Sequence, residues 1–258
     1  RLIPPSPSFS TVTNRIFSIN EVIQFYCPDI ADTLTLPESD SGHCVRVLRM
    51  TTGDTISVVD GRGHRFVCRL AEAHPRHARL EVVESMDCPP VWNDELTVMV
   101  APTKQLERIE WMLEKLVEIG INRFIPVRCA RSERKEAKTE RLTKIAVSAM
   151  KQSLKAILPE ICEMVPLRRA LELTAGVSQR FVGYCDDAVE RRLLARTLQP
   201  HRDTVVLIGP EGDFSPDEIQ LVTDAGFVPV TMGDNRLRTE TAALVAADTF
   251  HIINQLSQ

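Results

Sequence analysis

Two short loops near the end of the chain carry the residue types that a small-ligand site needs. The first, Leu207-Ile208-Gly209-Pro210-Glu211-Gly212, leaves the β-branched apolar run Val205–Ile208. The second runs from Met232-Gly233 to Leu237-Arg238-Thr239-Glu240-Thr241-Ala242, after the apolar stretch Phe227–Met232. Gly209 and Gly212 open main-chain conformations closed to other residues and let a ligand approach the backbone. Arg238 is always cationic and suits negative charge that develops on a substrate. Glu240 is the nearest carboxylate for taking a proton. Plainer roles compete: Glu240 as a carboxylate at a helix N-terminus, Glu211 as a turn-fixing acceptor, Leu237 and Ala242 as core. The spacing excludes a Walker phosphate loop and the G-x-G-x-x-G dinucleotide turn.

The elements around these loops alternate. Val205–Ile208 reads as a buried strand, and Ser215, Pro216 and Glu218 read as the N-cap, first residue and capping-box partner of a helix. A last helix is expected from about Thr239. Upstream, Leu96–Val100, Phe124–Val127 and Phe181–Cys185 read as strands, the last followed by Asp186-Asp187. Leu106, Ile109, Leu113, Leu116 and Val117 mark a helix over Lys104–Ile119 that stops at Gly120, and Arg141–Leu154 is amphipathic. Strands alternating with helices imply a parallel α/β sheet, with ligands held at the strand ends.

Before Pro89-Pro90 the pattern changes to short strands: Thr55–Val59, a turn at Asp60–Gly63, Arg65–Leu70 and Ala78–Val83, preceded by a helical turn or two over His43–Met50. That predicts a small barrel. The expected division is a loosely ordered extension over 1–22, a barrel over 23–86, a linker over 87–95 and an α/β domain over 96–258. Trp92 and Trp111 read as packing residues, Trp111 on an apolar helix face.

Composition limits the class. At 43% hydrophobic and 26% charged residues the chain is globular. It has no apolar run long enough for a bilayer and no signal-like start. Seven scattered cysteines without knuckle spacing suggest reduced, mostly buried thiols in a cytoplasmic protein and no metal site. The net charge of −4 speaks mildly against nucleic acid, but residues 123–155 hold ten basic and three acidic groups. Phosphate neutralisation needs such a local cluster, although a solvated helix face reads the same way.

The paired loops resemble the ribosomal RNA small subunit methyltransferase E family, of the SPOUT class. The resemblance extends over roughly residues 24–256. It takes in Lys104, Glu114–Gly120, Pro126, Arg131-Ser132 and Gln152-Ser153. Leu154 stands where the family usually has Gly, Lys155 where it has Arg, and Asp213 where a second Gly is commoner. The resemblance implies an α/β C-terminal SPOUT domain with a trefoil knot and a small N-terminal PUA-like β-barrel. It implies S-adenosyl-L-methionine as cofactor, a homodimer, and transfer of a methyl group to uridine N3 of small-subunit ribosomal RNA or of the ribosomal subunit. Arg238 and Glu240 are then the catalytic candidates. Leu207, Ile208, Gly209, Pro210, Glu211, Gly212, Met232, Gly233, Leu237, Thr239, Thr241 and Ala242 are the cofactor contacts. Arg46, Arg49, Arg131, Lys151, Gln152 and Lys155 are the RNA contacts, with no metal and no membrane. Two alternatives stand beside it. One is a SPOUT ribose 2′-O-methyltransferase, whose last motif usually carries Asn and Ser where this chain has Arg238-Thr239-Glu240-Thr241. The other is a non-catalytic RNA-binding protein.

Overall fold

A computed structural model of the chain describes residues 23–184 and 190–258. The expected N-terminal extension, Cys185 and Asp186-Asp187 lie outside the described residues. Two units emerge. One ends at Pro89 and takes back Leu154–Ile157; the other holds Pro90–Ser153 and Leu158–Gln258.

In the first unit, β1 (Gln24–Tyr26) is followed by α1 (Ile30–Thr33), α2 (Glu38–Gly42) and a π-helical turn over His43–Val47. Then come β2 (Thr55–Val59), β3 (His64–Glu72) and β4 (Arg79–Asp87). The strands form one four-stranded sheet in the order β1-β2-β3-β4, with β1 parallel to β2 and the rest antiparallel. Alternate residues of the sheet, among them Ile56, Val58, Cys68 and Leu70, bury one face against Ile30, Leu36 and Cys44. The β2–β3 turn is held by Asp60, whose Oδ1 accepts from the amides of Arg62 (2.7 Å) and His64 (3.1 Å).

The return of Leu154–Ile157 was not expected from the pattern. Three donors of this unit secure it: the Gly63 amide to the Ala156 carbonyl at 3.0 Å, Arg65 Nη2 to Leu154 O at 2.7 Å, and Gln24 Nε2 to Lys155 O at 2.7 Å. All three contacts end on main-chain oxygens, so side-chain types in 154–157 do not announce them.

The second unit runs β5 (Leu96–Val100), α3 (Leu106–Ile119), β6 (Arg123–Arg128), α4 (Thr139–Gln152), β7 (Glu160–Ile161), β8 (Val165–Pro166) and α5 (Leu167–Leu173). It continues with β9 (Gln179–Gly183), β10 (Arg192–Leu193), α6 (Leu194–Thr197), β11 (Thr204–Ile208), α7 (Pro216–Asp224), β12 (Val228–Thr231) and α8 (Thr239–Gln255). The eight-stranded sheet has the order β10-β12-β9-β11-β5-β6-β7, with β8 also on β6, and every pair is parallel. β5 and β11 are buried at every residue, as the unbroken apolar runs require of central parallel strands.

Helix α8 presents Ala243, Ala246, Ala247 and Phe250 inward, and the small alanines let it lie close on β5 and β11. Burying Phe250 alone contributes about 1.5–3 kcal/mol. Helix α3 buries Ile109, Met112, Leu113, Leu116 and Val117 and stops at Gly120, whose φ of 121° suits glycine. Trp111 falls off that stripe and is 48% exposed, which corrects its reading as a packing residue. Trp92 does pack: its indole donates to His251 Nδ1 at 2.8 Å. Helix α4 ends at Gln152 rather than Leu154, because Leu154 turns left-handed (φ 55°) where the chain leaves for the first unit. No helix among the described residues is long and apolar enough to cross a membrane.

Candidate functional site

Strand β9 lies between β11 and β12, and its last residue, Gly183, pairs with both Ile208 and Val230. The three strands therefore end side by side, and the loops that follow β11 and β12 rise on either side of β9. A cleft of about 1060 Å³ opens between them, large enough for a nucleoside-sized ligand with a second reactant. Gly183 forms part of the wall. A β-carbon there would stand 3.1 Å from Met232 Cε and 3.3 Å from Ile208 Cδ1.

The first loop is shaped by a ring. Phe214 is 3% exposed and lies edge-on to Tyr184, with centroids 6.0 Å apart. Neither Gly209 nor Gly212 takes a positive φ, so the expected need for glycine's conformational freedom does not hold there; Gly209 is needed for room, because a β-carbon would stand 2.8 Å from Phe214 Cε2. Asp213 takes φ 59° and accepts the Phe214 amide at 2.9 Å on its own carboxylate. Asp therefore does the work expected of glycine there, with a compensating hydrogen bond. Beyond it, Ser215 and Glu218 form the expected capping box with Pro216 at the first helical position. Glu218 reaches further, accepting from the Ala130 amide at 2.7 Å, and Arg131 Nη1 donates to Gly212 O at 3.2 Å. The Arg131-Ser132 loop thus braces the Gly209–Gly212 loop.

The second loop turns at Gly233, whose φ of 139° favours glycine, with Thr231 Oγ1 donating to Gly233 O at 2.6 Å. Arg238 is the N-cap of α8 and exposed. Thr239 is buried, and its hydroxyl points to Gly209 O at 3.5 Å, so the start of α8 closes on the first loop.

Most of the expected cofactor residues meet here. Ile208, Gly209, Pro210, Glu211, Gly212, Met232, Gly233, Leu237, Thr239 and Ala242 line the cleft, and so does Arg238. Leu207, Thr241 and Glu240 do not line it. Leu207 points the other way along the strand and packs with Met99 and Phe214 in the core. Glu240 is 8% exposed, and its Oε1 lies 3.5 Å from Arg108 Nη1. Arg108, Gly183, Tyr184 and Arg191 line the cleft without having been singled out. Each belongs to a segment far from the two glycine loops in sequence, so only the fold brings it in. Four arginines (Arg108, Arg191, Arg236, Arg238) and three acidic residues (Glu211, Asp213, Asp234) line the cleft together with the apolar Ile208, Val230 and Met232. That lining suits a ligand with an uncharged heterocycle and both signs of charge.

The expected RNA residues are more scattered. Arg46 and Arg49 are exposed in the first unit, Arg49 with φ 58°. Gln152 is exposed at the end of α4, Lys151 is half-buried beside it, and Arg131 is exposed. Lys155 belongs to the first unit, where burial pulls its ammonium below the ordinary lysine value.

A family model described as an RNA methyltransferase domain matches residues 90–251, and an RNA methyltransferase PUA domain model matches residues 36–83. A Mycobacterium bovis protein named ribosomal RNA small subunit methyltransferase E is 30% identical over 236 residues, covering 86% of this chain and 88% of its own length. A crystal structure of a probable rRNA-methyltransferase from Porphyromonas gingivalis is 42% identical, with a TM-score of 0.87 over 92% of this chain and 100% of that one. The ribosomal RNA small subunit methyltransferase E of Neisseria gonorrhoeae, bound to S-adenosyl methionine, is 26% identical with a TM-score of 0.79, covering 92% of this chain and 98% of that one. With its two glycine-bearing loops closing one cleft and its sequence matched from the first unit through α8, the chain belongs to the ribosomal RNA small subunit methyltransferase E family of RNA methyltransferases.

Proposed function

We propose that the protein transfers a methyl group from S-adenosyl-L-methionine to N3 of a uridine in small-subunit ribosomal RNA. The observation that carries this reading is the cleft itself, at the ends of β9, β11 and β12 between the Gly209 and Gly233 loops. Its residues fit the cofactor. Gly183 leaves room where a side chain would intrude, the Gly209–Gly212 and Met232–Gly233 backbones offer uncharged hydrogen-bonding groups to a purine edge, and Glu211 suits an ammonium group. When bound, the cofactor supplies an electrophilic methyl carbon on a cationic sulfur.

The chain's own work is to position and to stabilise charge. Uracil N3 attacks as the imide anion, so its proton must leave and charge must spread onto the flanking carbonyls. Arg238, at the exposed rim, takes up that charge. Leu237, Thr239 and Ala242 hold the reacting groups together at the start of α8, and correct alignment supplies much of the rate. Glu240 is buried, pairs with Arg108 and does not line the cleft, so the proton passes to water at the exposed rim rather than to that carboxylate.

The finer architecture belongs to the same reading: a trefoil knot about the two loops, a PUA-like barrel around the four-stranded sheet, and a homodimer acting in the cytoplasm. Trp111 on α3 and Ile252 and Leu256 at the end of α8 are exposed apolar residues on neighbouring helices, and they support a dimer face. Arg46 and Arg49 in one unit and the basic stretch 123–155 support contact with RNA phosphates. The test is nucleoside mass analysis of small-subunit RNA treated with protein and cofactor. 3-Methyluridine is expected; a 2′-O-methylated nucleoside or no product rejects the reading.

A further inference from the structure

Arg108 enters the cleft from the first turn of α3, far in sequence from both glycine loops. Its Nη1 lies 3.5 Å from Glu240 Oε1 and 3.9 Å from Glu211 Oε1. Glu240 is buried in the first turn of α8, and its Oε2 has no hydrogen-bond partner among the described residues. A buried carboxylate is costly without a cation beside it, so Arg108 and Glu240 hold each other in place. Both separations exceed the hydrogen-bond range of about 2.7–3.2 Å. The guanidinium, with five donors in a rigid fork, therefore keeps donors for a ligand while the buried Glu240 carboxylate, with Glu211 further off, draws it to this side of the cleft.

We infer that Arg108 is a second cationic contact for the target base, positioned by Glu240 and Glu211, which stabilises the uracil imide as N3 loses its proton. This rests on the uridine-N3 reading above. The imide nitrogen is flanked by two carbonyls, and loss of the N3 proton to water at the rim puts charge on both oxygens. The N3 electron pair then forms the bond to the methyl carbon as the carbon–sulfur bond breaks, and that pair stays on sulfur, which becomes neutral. One guanidinium at one oxygen leaves the other uncompensated. Arg238 from the cap of α8 and Arg108 from α3 together supply two. Glu240 is then a positioning residue that acts through Arg108.

The charged groups around Arg108 are Glu240 on α8 and Glu211 on the first loop, with Arg191, Asp213, Asp234, Arg236 and Arg238 on the rest of the lining. Substituting Arg108 removes the cation beside buried Glu240, so a changed pH profile is assigned to Arg108 when the double variant Arg108→Gln/Glu240→Gln, which carries neither charge, shows the same profile. Single-turnover methylation by wild type, Arg108→Gln, Arg108→Lys and Glu240→Gln is measured across neutral to alkaline pH. Cofactor affinity is measured separately by calorimetry, and folding by melting temperature. Arg108→Gln should lose about a hundredfold in rate at neutral pH. The deficit should shrink as pH rises and the imide ionises unaided, while cofactor affinity holds. Arg108→Lys should recover part of the rate. Combining Arg108→Gln with Glu240→Gln should cost little more than Arg108→Gln alone. A deficit constant across pH, or a loss of cofactor affinity equal to the loss of rate, overturns the inference, as does full activity of a folded Arg108→Gln. If wild type makes no 3-methyluridine, the functional reading falls first and this inference with it.

Discussion

Phe214 lies so close beneath Gly209 that a β-carbon at Gly209 would stand 2.8 Å from the ring's Cε2. The ring cannot yield cheaply, since it is 3% exposed and packed edge-on against Tyr184. The first glycine loop is thus moulded on an aromatic side chain from its own far end. Gly209→Ala should destabilise the protein by about 1–3 kcal/mol through overpacking and weaken cofactor binding. Urea unfolding and calorimetry check both, and an unchanged unfolding midpoint would mean that the loop adjusts freely.

Asp213 holds a left-handed turn with φ 59° and accepts the next amide. Asp213→Gly should change stability little, because relief of the left-handed strain offsets the lost hydrogen bond to the Phe214 amide and the greater freedom of the unfolded chain. Asp213→Val should cost about 1–2 kcal/mol, since a β-branched side chain resists it. Denaturant midpoints of the two variants decide the matter.

Arg238→Ala should slow methyl transfer by about 10²–10³-fold, as for loss of a group that meets charge only in the transition state. Cofactor affinity should change much less. Equal loss of both, seen by comparing single-turnover rates with calorimetry, would move Arg238 into cofactor binding.

Burial pushes the thiols of Cys68 and Cys129 up from 9.0 to about 12, and those of Cys27, Cys44 and Cys162 to about 11. Above pH 9 the unfolded chain loses these protons while the folded chain keeps them, so stability should fall as pH rises from about 9 towards 12. Melting temperatures across that range check the trend, and replacing Cys68 and Cys129 with Ala should flatten it.

The basic stretch invites a charge test. Lys151→Glu should weaken RNA binding and flatten its salt dependence. An unchanged slope of affinity against salt would mean that this end of α4 faces away from RNA.

Much of the site was legible in the sequence, and the reason is local. The Ser215–Glu218 capping box, the stop at Gly120, the buried runs of β5 and β11 and the start of α8 at Thr239 each depend on residues a few positions apart. What escaped depends on distant segments. Arg108, Gly183 and Tyr184 join the cleft only because β9 is flanked by β11 and β12 and because α3 packs beside α8. Glu240 was read as a candidate base because it lies next to Arg238, yet the turn of the helix puts it against Arg108 and away from the lining. Leu207 likewise falls on the core side of a strand whose next residue lines the cleft. The return of Leu154–Ile157 to the first unit rests on main-chain carbonyls, which residue type does not reveal.

On the proposed reading, the Gly209 and Gly233 loops close on a methyl donor and present it to a uracil imide. Small-subunit RNA incubated with the protein and cofactor carrying a labelled methyl group, then digested to nucleosides for mass analysis, tests it most directly. Label is expected in 3-methyluridine, and none after Gly233→Val, which puts a β-branched residue at φ 139°. Label on a ribose hydroxyl, or the same 3-methyluridine yield from Gly233→Val, would contradict it.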